Sequence, residues 1–242
     1  MAIITTRGVV LQTYRYSDTS KILRLMTLDR GPCSALARGA LRPKSRFGGL
    51  LEPFAEGDLT LYLKEGRDLH ALSGFELVRE RRALGSHLGP YTAASIMCEL
   101  VMRLAPEHRD DRLYRTLTEG LDALLEVGGE EGKAIGLQKI WSLVGALGFQ
   151  PELESCVECG RAIGLGRARF DFAAGGLRCT ECPPSGPTIE PDELSSLRGL
   201  LAPTPFAGPV KGPQGRWLSD FIRFHLAEGA NLRSLPFLSE LA

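Results

Sequence analysis

The chain has 242 residues, of which 43% are hydrophobic, and its 29 Lys and Arg residues balance its 29 Asp and Glu residues. This composition is typical of a folded globular protein and excludes a disordered or fibrous chain. No apolar run approaches the roughly 18 residues that would span a membrane, and the first residues lack the basic and apolar stretches of a secretory signal. We therefore expect a globular protein of one large or two to three small domains.

The first 80 residues predict short strands separated by turns. Strand-forming residues occur at 7–14, 21–28, 33–37, 58–63 and 69–74. The clearest alternation has Leu59, Leu61 and Leu63 on one face and Thr60 and Tyr62 on the other. Five strands in about 75 residues fit a small closed β-barrel, which predicts an OB-fold at 1–80 and, with the helices that follow, an α+β protein.

From residue 84 onward, apolar residues recur three or four positions apart, which predicts helices. Prolines and glycines mark their ends. The predicted helices lie at 90–105, 111–127, 130–147, from 191 onward, and at 216–227, with a Pro- and Gly-rich loop at 203–215. These residues predict an α-helical domain formed by 81–150 and 188–242.

Four cysteines occur in two matching pairs, Cys156 with Cys159 and Cys179 with Cys182. A repeated Cys-x-x-Cys at this separation indicates one structural zinc ion, because four thiolates fill a tetrahedral site and leave no position for substrate. The pairs define a zinc module at 151–187 within the helical domain, with a β-hairpin between them. A redox role is the alternative, but it would need one pair beside a βαβ unit.

The other two cysteines, Cys33 and Cys98, stand alone in the sequence and are expected to be small buried residues. Six cysteines, of which four have metal-binding spacing, fit the reducing cytoplasm better than a disulfide scaffold.

Charge is distributed unevenly although the totals balance. Residues 1–51 contain nine Lys and Arg residues against two Asp residues, whereas residues 99–131 contain nine acidic residues against four Arg residues. The positive potential is therefore concentrated on the predicted barrel, as binding to a phosphate backbone requires.

The densest positive cluster lies at 38–49, which we call the basic loop because its glycines and proline predict a loop. We expect DNA to bind here and on the adjacent strand through Lys21, Arg24, Arg38, Arg42, Lys44 and Arg46. The aromatic residues that can stack on bases are Phe47, Tyr14, Tyr16 and Tyr62. The alternative is a solvated loop with its aromatic residues in the barrel, and a core position is the expectation for Tyr14 and Phe47.

The sequence offers no catalytic group. Gly132-Lys133-Ala134 resembles the end of a phosphate-binding loop, but Val127 replaces the first glycine of that motif and Ala134 replaces its hydroxyl residue. The four histidines lie far apart and fit no catalytic or metal-binding pattern. We therefore predict that the protein is not an enzyme and has no small-molecule substrate.

Three groups of segments occur in a characteristic order. The first comprises Gly8-Val9-Val10-Leu11, Lys21-Ile22-Leu23, Ala37-Arg38-Gly39-Ala40, Lys44-Ser45-Arg46-Phe47 and Glu52-Pro53-Phe54. The second comprises Leu147-Gly148-Phe149-Gln150-Pro151-Glu152-Leu153, Cys156-Val157-Glu158-Cys159-Gly160 and Gly175-Gly176-Leu177-Arg178-Cys179. The third comprises Phe224-His225-Leu226 and Arg233-Ser234. In this order the segments resemble RecO, a family of bacterial recombination mediator proteins, over essentially the whole chain.

The resemblance implies an OB-fold, a helical domain and a four-cysteine zinc module. It also implies binding to single- and double-stranded DNA, annealing of complementary strands and, with RecR, loading of recombinase onto DNA coated by single-stranded-DNA-binding protein. RecR and single-stranded-DNA-binding protein would be the partners, in the cytoplasm at the nucleoid. The tail Leu232-Arg233-Ser234-Leu235 departs from the family by keeping only part of its lysine-rich ending.

Several alternatives stay open at this point, among them an enzyme that uses zinc only as a brace and a scaffold without nucleic-acid function, although the charge asymmetry disfavours the scaffold. A zinc-ribbon RNA-binding or ribosome-associated protein would use the same residues, because a basic OB barrel also suits RNA. A second DNA site at the zinc module would use Arg161, Arg167, Arg169 and Arg178, against the alternative of a solvated surface.

Overall fold

The computed structural model describes residues 2–63, 66–127, 129–226 and 232–241. The chain divides into two compact units, one of Met1–His87 with Met97–Leu125 and one of Leu88–Ile96 with Glu126–Ala242. The predicted turn at 64–68, the predicted stop at Gly128 and the predicted helix end at 227–229 lie wholly or partly outside the described residues. No helix among those described is long and apolar enough to cross a membrane.

Five strands in the first unit form a closed barrel in the order β1-β2-β3-β5-β4. They are β1 (Ala2–Arg15), β2 (Lys21–Thr27), β3 (Gly31–Ala37), β4 (Glu56–Leu63) and β5 (Leu69–Arg79). Only the β3–β5 pair is parallel among these strands, and β1 closes the barrel against β4. This is the topology of an OB-fold, which confirms the predicted fold of the N-terminal region.

The barrel core follows from the alternation of apolar residues along the strands. Leu59 and Leu61 on β4 face Leu23 and Leu25 on β2, and all four are fully buried. The predicted first strand began at residue 7, but β1 begins at Ala2 because its first half pairs with β4 and its second half with β2. Burial of these leucines stabilises the barrel by about 2 kcal/mol per side chain.

The rest of the first unit is helical. A short 3-10 helix (Arg82–Ser86) precedes α1 (Leu88–Leu104), whose later turns belong to this unit, and α2 (Asp111–Ala123) follows. Asp110 caps α2 by accepting a hydrogen bond from the Leu113 N–H at 2.8 Å. The residues predicted to form its apolar face are buried, namely Leu113, Leu117, Leu121 and Leu124.

The second unit combines helices with a small sheet. Its helices are α3 (Gly129–Ala146), α4 (Pro191–Leu201), α5 (Gln214–His225) and a 3-10 helix (Leu235–Leu241). The sheet has the order β7-β6-β8, with β6 (Ala168–Asp171), β7 (Gly176–Arg178) and β8 (Thr188–Ile189). The β6–β7 pair is the predicted hairpin between the cysteine pairs.

Aromatic residues join the sheet to the helices of the second unit. The ring of Phe170 on β6 lies 5.9 Å from that of Phe221 on α5, which in turn contacts Trp141 on α3 at 5.2 Å. Sequence reasoning missed the C-terminal 3-10 helix, although it buries Leu235 and Leu238. Its apolar spacing was too short to be distinguished from a tail.

Candidate nucleic-acid interface and metal centre

The basic loop is attached to the barrel by Phe47. Its ring is only 1% exposed and packs in the barrel core with Leu51. The Arg46 guanidinium lies 4.9 Å from the centre of this ring, in cation–π geometry. Phe47 is therefore a core residue, as expected, and cannot stack on a base.

The predicted cations of the loop point into solvent. Arg38, Arg42, Lys44 and Arg46 are all exposed. Among the residues that the structure describes, none of these four side chains makes an ion pair. On β2, Arg24 is exposed and donates from Nη1 to the Ser34 hydroxyl at 3.0 Å. These five side chains retain charge that a phosphate backbone can neutralise.

Lys21, the sixth predicted cation, is engaged within the protein. Its ammonium donates to the Glu52 carboxylate at 2.9 Å and to the Leu51 carbonyl at 3.2 Å, and its side chain is 16% exposed. Arg82 donates to the Gly49 carbonyl at 2.8 Å. Lys21 and Arg82 lie outside the basic loop. They thus contact the C-terminal end of the segment that carries the loop and hold this segment against the barrel.

Tyr14, Tyr16 and Tyr62 are 46%, 61% and 38% exposed. The expectation of a core position was therefore wrong for Tyr14. A β-bulge between Val10 and Gln12 on β1 shifts the alternation, so that the residues before it are buried and Tyr14 lies on the outer face. A bulge of this kind leaves no signal in the hydrophobic pattern.

A buried ion network that the sequence does not reveal connects the barrel to α2 within the first unit. Arg81, 1% exposed, donates to Glu56 and Asp122 at 2.7 Å each and to the Phe54 carbonyl at 3.0 Å. Burial alone would lower the Arg81 pKa, but the hydrogen bonds to Asp122 and Glu56 raise it. Tyr114 completes the network by donating to Glu56 at 2.9 Å.

The four paired cysteines converge in the second unit. Their Sγ atoms all lie within 4.8 Å of one another. The Cys156–Cys182 separation is 3.9 Å and the Cys159–Cys179 separation is 3.8 Å. A tetrahedral ion with metal–sulfur bonds of about 2.3 Å places its sulfurs about 3.8 Å apart, so the cluster fits one metal ion and not a disulfide.

Backbone hydrogen bonds hold the first cysteine pair in a tight turn. Gly160 closes the first with a φ of +72°, a conformation that favours glycine, and its N–H donates to the Cys156 carbonyl at 2.9 Å. The Cys179 N–H donates to the Cys156 sulfur at 3.3 Å. Burial alone would raise the Cys156 pKa, but the backbone N–H donors of Cys179, Cys159 and Glu158 outweigh it and lower the pKa to about 6.

The pKa of Cys182 is shifted in the opposite direction to that of Cys156. Hydrogen bonding with Cys179, and then burial, raise the Cys182 pKa to about 12. Four thiolates this close repel one another, so complete ionisation of the cluster requires a cation among them. The four sulfurs therefore fit a single metal ion as their shared cation.

Two ion pairs cross between the knuckles. Glu158, inside the first pair, lies 3.1 Å from Arg178, which precedes the second pair. Glu181, inside the second pair, contacts Arg161, which follows the first. Each knuckle thus supplies an acid to the arginine beside the other knuckle.

The arginines of the module are largely paired. Besides these two contacts, Arg178 lies 2.8 Å from the buried Asp171, and Arg167 lies 2.9 Å from Glu190. Only Arg169 of the four has no ion-pair partner among the described residues. The geometry favours the solvated surface over a second DNA site.

The fold and the two sites define a class of protein. Its features are an OB barrel with exposed cations, followed by a helical unit with four cysteines at metal-binding distance from one another. Two family models match the chain: "Recombination protein O N terminal" over residues 1–81 and "Recombination protein O C terminal" over residues 86–236. The chain belongs to the RecO family.

Several curated DNA repair proteins are similar in sequence to this chain over nearly its whole length. It is 34% identical to the DNA repair protein RecO of Anaeromyxobacter sp. (strain K), covering 97% of this chain and 95% of that protein. It is 35% identical to that of Rubrobacter xylanophilus over 92% of this chain and 89% of that protein. The RecO protein of Geobacter sulfurreducens is 32% identical and is matched over 98% of each chain.

Proposed function

We propose that this protein is a DNA repair and recombination mediator that binds single- and double-stranded DNA and anneals complementary strands. RecR and single-stranded-DNA-binding protein are the proposed partners in loading recombinase, in the cytoplasm at the nucleoid. The observation that carries the proposal is the group of exposed, unpaired cations on the OB barrel of a RecO-family chain. Binding and annealing need only charge neutralisation, so no step requires a catalytic residue.

The proposed DNA site is the basic loop with the outer face of β2. Arg24, Arg38, Arg42, Lys44 and Arg46 neutralise phosphates without reading sequence, and Lys21 acts by holding the loop. Neutralisation lowers repulsion between two bound strands, so that complementary bases can meet. The Cys156, Cys159, Cys179 and Cys182 cluster holds one structural Zn²⁺, which supplies only the bonds that join the two knuckles of the module at 151–187.

The test is charge reversal in the basic loop. A triple variant with Arg38→Glu, Arg42→Glu and Lys44→Glu should lose DNA binding, and any remaining binding should have a log–log salt slope that is shallower by about 2 on single strands. The matched control has Arg103→Glu, Arg112→Glu and Arg115→Glu, with the same change in net charge in the acidic segment. Wild-type affinity in the loop variant would refute the site.

Two further measurements test the finer function. Annealing of complementary strands, measured at two salt concentrations with and without single-stranded-DNA-binding protein, should be lost in the loop variant and kept in the control. Competition between DNA and RNA strands of equal sequence separates the proposal from an RNA-binding function. Preference for RNA would overturn the DNA assignment.

A further inference from the structure

Two exposed tyrosines lie beside the unpaired cations of the barrel. Tyr14 is opposite Ile22 in the β1–β2 pair, and Arg24 lies two residues further along β2 on the same outer face. This diagonal relationship separates Cβ atoms by about 7–8 Å, within reach of an aromatic ring and a long cation. The Tyr14 hydroxyl donates to the Gln12 side-chain oxygen on this face.

The second ring, Tyr16, stands where the β1–β2 turn meets the basic loop. Its N–H donates to the Ser20 carbonyl at 2.9 Å. The next carbonyl toward the tip of the turn, that of Thr19, accepts from the Leu41 N–H of the basic loop at 3.0 Å. The loop cations flanking Leu41 are therefore held next to this turn. The one exposed acid of the turn, Asp18, is paired with Arg15 at 3.2 Å.

We propose that Tyr14 and Tyr16 form a stacking platform for the bases of an unpaired DNA strand, with its phosphates on Arg24, Arg38 and Arg42. This inference rests on the proposed function and adds a preference to it. Each base–aromatic contact requires an uncovered base face. In a duplex the neighbouring bases, spaced at 3.4 Å, cover these faces. Tyr14 lies near the end of β1 and Tyr16 directly follows that strand, so only a DNA strand with separated bases can use both rings.

The third exposed tyrosine has different surroundings. Tyr62 pairs with Ile3 on β1 and with Ala71 on β5, and both partners are uncharged. Its partner on β1, Ile3, lies at the opposite end of that strand from Tyr14. Because these described strand partners carry no charge, we place Tyr62 outside the platform and use it as an exposed tyrosine control on the same barrel.

The experiment compares affinities for a single-stranded oligonucleotide and a duplex of the same length, measured by fluorescence anisotropy on the full-length protein. In the double variant Tyr14→Ala/Tyr16→Ala, affinity for the single strand should fall by about 5-fold or more per ring. Duplex affinity should change by less than about 2-fold, because phosphate contacts remain. The Tyr14→Phe/Tyr16→Phe variant keeps both rings and should bind like wild type, as should Tyr62→Ala.

A second readout reports stacking itself. A single strand containing 2-aminopurine, whose emission falls on stacking, should be quenched by wild type and by the Phe variant but not by the Ala variant. Equal loss of single-strand and duplex affinity, no loss, or an equal effect of Tyr62→Ala would overturn the platform. Wild-type affinity in the charge-reversal variant would be a separate result. It would refute the basic loop as the DNA site, whatever the effect of the tyrosine variants.

Discussion

The Lys21 ammonium lies 2.9 Å from the Glu52 carboxylate, joining the start of β2 to the end of the chain segment that carries the basic loop. The same ammonium reaches the Leu51 carbonyl. Lys21 was predicted to bind phosphate. Its contacts instead place it where it positions the basic loop, whose cations remain exposed. The distinction between holding the loop and contacting DNA can be measured.

We predict that Lys21→Met loosens the basic loop without removing a phosphate contact. Trypsin should cleave at Arg38, Lys44 or Arg46 faster than in wild type, because the end of the segment loses its anchor. The companion variant Glu52→Gln weakens the same contact and should have the same effect although it removes no cation. An unchanged cleavage rate, together with a salt slope for single strands shallower by about 0.7, would instead make Lys21 a phosphate contact.

A second prediction concerns the buried Arg81. In Arg81→Met the Glu56 carboxylate loses its cation in a site where its exposed fraction is 9%, so the free energy of unfolding should fall by about 3–5 kcal/mol. Urea denaturation measures this change. Arg82→Met, an exposed neighbour whose side chain pairs with Glu80, should cost less than about 1 kcal/mol.

The double variant Arg81→Met/Glu56→Gln separates the lost pair from the stranded charge. If the charge left on Glu56 causes most of the loss, the double variant should be more stable than Arg81→Met alone. Equal or lower stability in the double variant would show that packing of the Arg81 side chain, and not its charge, holds this part of the first unit together.

Much of the fold is predictable because it depends on local patterns. The alternation at Leu59 and Leu61 predicts β4, and the spacing of Leu113, Leu117 and Leu121 predicts α2. The cysteine spacing is local as well, since each pair closes within one turn. These features depend on residues that are only two to four positions apart in the sequence.

The remaining features depend on partners that are distant in sequence. Arg81 pairs with Asp122, 41 residues away, and no pattern in the sequence around Arg81 predicts this contact. The bulge that turns Tyr14 outward arises from pairing with β2. Arg46 and Phe47 are adjacent in the chain, yet one is exposed and the other is core. The charge of the basic loop is evident from its residues, but only the fold distinguishes its exposed cations from Lys21, which pairs with Glu52.

A third prediction concerns the loss of stability at acid pH. Burial alone would raise the Asp122 pKa, but hydrogen bonds from Arg81 and Arg79 lower it below its ordinary value. A carboxylate with a lowered folded-state pKa adds stability above its unfolded pKa of about 3.9, and that contribution is lost as pH falls through the folded-state value. Wild type should therefore lose more stability between pH 6 and pH 2 than Asp122→Asn.

Chemical denaturation across this range measures the difference between the two proteins, and carboxyl NMR of Asp122 measures its titration directly. Asp18→Asn, which removes an exposed acid from the β1–β2 turn, should behave like wild type. An Asp122 that titrates at its ordinary pKa would contradict the prediction.

The last prediction is that a metal bound by the four cysteines holds the module together. Cys156→Ser should remove bound zinc, because the other three sulfurs no longer complete a tetrahedron, and should speed amide exchange across 151–187. Metal binding stabilises such sites by on the order of 10 kcal/mol, so the loosening should be large within the module. Cys33→Ala, which changes a cysteine of the barrel, should keep one zinc per chain. Metal analysis with hydrogen exchange tests both variants, and full zinc content with unchanged exchange in Cys156→Ser would refute the structural role.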